Sequence, residues 1–98
     1  MQDGATPLHI ACQNGHQACA RLLLQSGAAV DQAKQSGATS LYIACEKGHE
    51  VCAQLLLQNG AAVNQALQGG FTPLYVACWK GHEACAQLLL QSLSLIHI

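Results

Sequence analysis

Gly4-Ala5-Thr6-Pro7-Leu8-His9-Ile10-Ala11-Cys12 returns as Gly37-Ala38-Thr39-Ser40-Leu41-Tyr42-Ile43-Ala44-Cys45, and again as Gly70-Phe71-Thr72-Pro73-Leu74-Tyr75-Val76-Ala77-Cys78. Each copy begins 33 residues after the one before it. A fixed period of this size specifies a stack of small similar units in place of one central core. Function in such a stack is expected to be surface recognition.

One unit reads as two short helices. Thr6 offers an N-cap oxygen, and Pro7 suits the first helical position, where an N–H would lack a partner. Leu8, Ala11 and Cys12 follow at i, i+3 and i+4, one apolar face. Gly15 stops this helix and His16 lies in the turn. A second helix is expected from about Gln17 to Gln25, apolar over much of its circumference and therefore covered on several sides. Gly27 caps it, and the stretch Asp31 to Ser36 should form a projecting turn. Both helices are shorter than the roughly 12 to 15 residues that an isolated helix needs, so each depends on its neighbours.

Composition narrows the function. Charged residues make up only 9% of the chain, the net charge is −1, and each Lys and Arg stands alone. There is no electrostatic footprint for nucleic acid or an anionic membrane. No apolar run approaches the roughly 18 residues that span a bilayer, and the N-terminus does not read as a secretory signal. The six cysteines fall in two slots: Cys12, Cys45 and Cys78, then Cys19, Cys52 and Cys85. Equivalent residues of stacked helices lie roughly 10 Å apart, whereas a disulfide needs Cα atoms within about 7 Å. All six are expected as reduced thiols in small apolar slots of an intracellular, cytoplasmic protein.

Gly-x-Thr-Pro-Leu-His, then Gly-His, Leu-Leu and Gly-Ala-x-Val-Asp/Asn at this period resemble the ankyrin repeat over about residues 2–91. The resemblance implies an all-α solenoid of helix pairs with short β-hairpin fingers and a non-catalytic, protein-binding role. Repeats are expected at about 2–34, 35–67 and 68–92, with 93–98 a non-repeat apolar tail. A weaker similarity points to ankyrin substrate receptors of ubiquitin ligases, although no ligase-recruiting box is present. The sequence departs from the family pattern at Ser40 (for Pro), at Tyr42 and Tyr75 (for His) and at Lys34 and Leu67 (for a finger Asp). It departs again at the three cysteines of the first slot and after Ser92, where Gly-Ala should follow. Ser40 leaves its helix start less pre-organised, and the tyrosines put the Thr–His hydrogen bond of the family in doubt.

In this family partners dock on the concave face. The matching slots are Gln2, Asp3, Ala5, Gln13 and Asn14 in the first repeat. In the second they are Gln35, Ser36, Ala38, Glu46 and Lys47, and in the third Gln68, Gly69, Phe71, Trp79 and Lys80. These slots vary between repeats while the scaffold slots hardly do, as expected of sites grafted on a shared frame. Phe71 and Trp79 are the sole Phe and Trp, and they read as binding anchors. Local packing under the tail is the alternative. Glu46 and Lys47 fit a solvated helix end or a polar rim, and Leu67 an exposed apolar finger tip.

Other chemistry reads weakly. Cys12, His16 and Cys19 resemble part of a zinc set, but the trio recurs in every unit without a consistent fourth ligand. The Gly-His histidines His16, His49 and His82 read as turn residues bonded to nearby backbone. No metal, cofactor or catalytic residue is expected. Asn64 lies at a finger position that is hydroxylated in some ankyrin proteins, and it equally suits a turn. Neither end carries a polar capping repeat, so self-association through the ends is expected. The competing reading is a structural spacer, or a truncated piece of a longer array with no partner of its own.

Overall fold

The computed structural model describes residues 3–96. Gln2, His97 and Ile98, placed by sequence in a surface slot and in the tail, lie outside the described residues. Six helices follow one another: α1 (Pro7–Gln13), α2 (Gln17–Gln25), α3 (Ser40–Lys47), α4 (Glu50–Gln58), α5 (Pro73–Lys80) and α6 (Glu83–Ile96). Each odd-numbered helix pairs with the even-numbered helix after it. α3 lies between α1 and α5 in one row, and α4 lies between α2 and α6 in the other.

The helix starts follow from the threonines. Thr6, Thr39 and Thr72 have extended backbones, and their hydroxyls accept from the amides of His9, Tyr42 and Tyr75 at 3.3, 3.2 and 3.1 Å. Ser40 in place of Pro leaves this cap intact. The reciprocal bond forms at Thr6, whose amide donates to His9 Nδ1 at 2.9 Å. Tyr42 and Tyr75 have no ring nitrogen to return it.

The fingers are tight turns, and among the described residues no strand is formed. Lys34 N donates to Ala38 O at 2.9 Å, and Leu67 N donates to Phe71 O at 2.8 Å, one hairpin bond in each. Successive fingers are tied by Gln35 N to Asp3 O (2.9 Å) and Gln68 N to Ser36 O (3.0 Å). Lys34, in the slot where the family has Asp, instead pairs with Asp3 at 3.2 Å.

The core is a ribbon along the stack. Leu8, Ala11, Cys12 and Ala20 belong to it in the first repeat, Leu41, Ala44, Cys45, Cys52, Ala53 and Leu56 in the second, and Val76, Ala77, Cys85 and Leu89 in the third. The middle repeat, covered on both sides, is buried along nearly all of α3. Cys19 and Cys78 depart from the expectation that all six thiols are buried. Their slots lie on the outer faces of the first and last described repeats, away from the two junctions.

α6 also differs from its counterparts. α2 and α4 stop before Gly27 and Gly60, whose positive φ of 91° and 85° turns the chain out of the helix. Leu93 occupies the same slot in the third repeat. Without the glycine the helix runs on to Ile96, across the boundary drawn at Ser92, and Leu93 packs against the core.

Candidate functional site

Phe71 stands on the third finger, and Tyr75 and Trp79 follow it on α5. A spacing of four residues puts side chains above one another on a helix face. The Phe71 and Tyr75 rings are 5.1 Å apart and the Tyr75 and Trp79 rings 6.4 Å, both tilted at 51°. Lys80 Nζ sits 4.8 Å from the centre of the Trp79 ring, a cation–π contact. The ladder is open to solvent: Phe71 is 43%, Tyr75 53% and Trp79 70% exposed. The same slots hold Ala5, His9 and Gln13 in the first repeat and Ala38, Tyr42 and Glu46 in the second. Three exposed aromatic rings in contact are therefore peculiar to the third repeat.

Tyr75 joins Phe71 and Trp79 although sequence reasoning treated it as a scaffold substitution for His. The i, i+4, i+8 spacing from Phe71 was the available signal. Tyr42, its equivalent, is buried, and burial together with the nearby Glu46 carboxylate raises its phenol pKa.

The other surface slots separate into two groups. Ser36, Lys47, Gln68 and Lys80 are exposed, as is Gln35. Gln68 Nε2 donates to the carbonyl of Gln35 at 2.8 Å, so these two glutamines link adjacent fingers. Glu46 is half-buried, and its backbone carbonyl accepts from His82 Nε2 at 3.1 Å. Ala38 is a correction: it is 6% exposed and belongs to the core. Its carbonyl accepts from Lys34 N and from His9 Nε2 (3.2 Å), which draws this finger residue inward. Leu67 is likewise half-buried against the core, not an exposed finger tip.

The junction histidine His49 and four of the six cysteines are held by contacts within the stack. His49 Nε2 reaches the carbonyl of Gln13 at 3.1 Å. Burial pushes the Cys12 thiol up to about 12, with Cys52 beside it adding to the rise. Burial also raises Cys52, and a hydrogen bond to Cys85 together with burial raises Cys45. Thiols held in the protonated form are poor nucleophiles and metal ligands. Among the described residues no group of three or more His, Cys, Asp or Glu side chains is arranged to hold a metal ion. No described helix is long and apolar enough to cross a membrane.

The helix pairs, capping threonines and stacked fingers define an all-α repeat solenoid. The sequence matches the family described as "Ankyrin repeats (3 copies)" over residues 1–67 and again over 29–97, and the chain belongs to that family. It is similar to the crystal structure of the human ASB11 ankyrin repeat domain, with 39% identity and a TM-score of 0.87. That match covers 90% of this chain and 40% of the ASB11 chain. No curated protein sequence matches the chain.

Proposed function

We propose that this chain is a non-catalytic protein-interaction module that grips a protein partner on the face formed by the fingers and by α1, α3 and α5. Ankyrin repeats are generally protein-interaction modules, and no enzyme family is indicated. The observation that carries the reading is the Phe71–Tyr75–Trp79 ladder, exposed in the repeat where the other copies hold smaller or buried side chains. Exposed aromatic residues are typical anchors, each worth about 2 kcal/mol or more once a partner buries it. Gln35, Ser36, Glu46, Lys47, Gln68 and Lys80 supply the polar rim. Such a surface works by rigid presentation and performs no chemistry.

The repeat boundaries follow the period: 2–34, 35–67 and 68–92. The buried thiols and the two exposed ones, Cys19 and Cys78, support an intracellular, cytoplasmic setting where thiols stay reduced. The exposed apolar side chains of Leu22 and Leu90 support self-association as a second property. The test of the binding face is affinity capture from cell lysate, read by mass spectrometry, with Trp79→Ala and Phe71→Ala beside the unaltered chain. Partners retained equally by all three would refute it.

A further inference from the structure

Cysteines of one slot are kept apart by the spacing of helices within a row. Between the two rows the outcome is different. Cys12 on α1 hydrogen-bonds Cys52 on α4, and Cys45 on α3 hydrogen-bonds Cys85 on α6. In both cases the first slot of one repeat faces the second slot of the next. All four thiols are buried in the core, and each pair is enclosed between two described repeats. The same junctions are fixed by His49 Nε2 on the Gln13 carbonyl and His82 Nε2 on the Glu46 carbonyl, each at 3.1 Å. The sulfurs are therefore held against each other by the stacking itself.

The two pairs are chemically unequal. At the second junction the hydrogen bond from Cys45 lowers the Cys85 pKa, in spite of burial. At the first, burial raises Cys52 although Cys12 hydrogen-bonds it. The thiolate is the reactive form, so the second pair holds the better nucleophile.

We propose that each junction holds a latent disulfide, Cys12–Cys52 and Cys45–Cys85, which hydrogen peroxide closes and a thiol reductant reopens. The Cys85 sulfur attacks one peroxide oxygen and the O–O bond breaks. The released hydroxide takes the proton of the Cys85 thiol and leaves as water, and Cys85 becomes a sulfenic acid. The Cys45 sulfur then attacks the Cys85 sulfur. An S–S bond forms, the S–O bond breaks, and the hydroxyl leaves with the Cys45 proton as a second water. Two thiols have lost two electrons, and the peroxide has taken them. Cys52 and Cys12 follow the same course more slowly. Each bond closes a loop of about 40 residues and restricts the unfolded chain, so the oxidised stack is the more stable form. All four sulfurs lie in the core, so the lock is independent of the binding face.

The test uses the full chain with Cys19→Ser and Cys78→Ser, which removes the exposed thiols and with them any cross-linking between molecules. It is exposed to hydrogen peroxide under native conditions, its free thiols are alkylated, and it is digested with trypsin. Cleavage after Arg21, Lys34, Lys47 and Lys80 leaves the four remaining cysteines on four different peptides. Mass spectrometry should find 35–47 joined to 81–98 first, and 1–21 joined to 48–80 later. The intact chain should lose two hydrogens at each step, and dithiothreitol should restore them. The melting temperature should rise by about 10 °C or more on oxidation. Thiols that stay free, oxygen gained without a cross-link, or a mixture of other pairings would overturn the proposal.

Discussion

His82 lies over Gly48 so closely that a Cβ on that glycine would come within 2.7 Å of its Nδ1. The ring spans the second repeat junction, with Nε2 donating to the Glu46 carbonyl at 3.1 Å. Gly48 itself has a φ of 75° and ends α3 in the left-handed region. One residue thus stops a helix and leaves room for the histidine of the next repeat. The Gly-His pair is a stacking device: the glycine admits a ring from the following repeat, and the histidine inserts into the preceding one.

Gly48→Ala and Gly81→Ala separate these two duties. Gly81 has the same φ of 75° but open space around it. Its replacement should cost about 1–2 kcal/mol from the left-handed backbone alone. Gly48→Ala should cost that and about 1 kcal/mol more, the net value of the hydrogen bond that the displaced His82 gives up. Urea unfolding of both variants reads the difference. Equal losses would show that the ring contact adds nothing.

Thiol accessibility should follow the ends of the stack. Cys19 and Cys78 should react rapidly with a chromogenic disulfide reagent in the folded chain, and the remaining four only on unfolding. Burial holds Cys12 and Cys52 protonated, and the bond between Cys45 and Cys85 withholds the Cys45 thiol as well. More than two fast-reacting thiols at neutral pH would mean that a junction opens readily.

The repeat made most of this fold legible. Thr-Pro starts, glycine stops and small apolar slots are local signals, and three copies in register leave little freedom. What escaped was the consequence of position in the stack. Cys19 and Cys52 hold the same slot, yet one is exposed and the other buried, because burial here is conferred by the adjacent repeat. Ala38 was misplaced for a related reason: a slot that varies between repeats reads as surface, but the bond from His9 and the finger turn draw this alanine into the core. Leu93 displays a missing signal, a leucine where glycine stops the other two helices. Tyr75 was hidden by its assignment to a scaffold slot, although its spacing from Phe71 and Trp79 was on view.

Acid should weaken the first junction through His9. Its ring is buried and neutral, Nε2–H donating to Ala38 O while Nδ1 accepts from Thr6 N. Burial, aided by the Lys34 charge, lowers its pKa below the ordinary 6.5. The unfolded chain therefore binds the proton more readily. This contribution is intact above about pH 6.5, declines as the pH falls below that, and is fully lost below the folded pKa. His9→Tyr, which installs the residue of the other two repeats, removes that term. Unfolding free energies at neutral and mildly acid pH should fall less for His9→Tyr than for the unaltered chain. Identical declines would place the acid sensitivity elsewhere.

Trp79→Ala tests the binding face without disturbing the stack. The ring is 70% exposed and contacts Tyr75 and Lys80 on its own helix. Its removal should change folding stability by no more than about 0.5 kcal/mol, as for surface substitutions generally. A partner that buries the ring should bind about 30-fold more weakly, the equivalent of about 2 kcal/mol. Tyr75→Ala should produce a comparable loss, because Tyr75 bridges the other two rings. Gln13→Ala, at the matching slot of the first repeat, should leave affinity unchanged. Isothermal titration against a captured partner reads all three, and an effect of Gln13→Ala equal to that of Trp79→Ala would spread the contact over the whole face and remove the special standing of the third repeat.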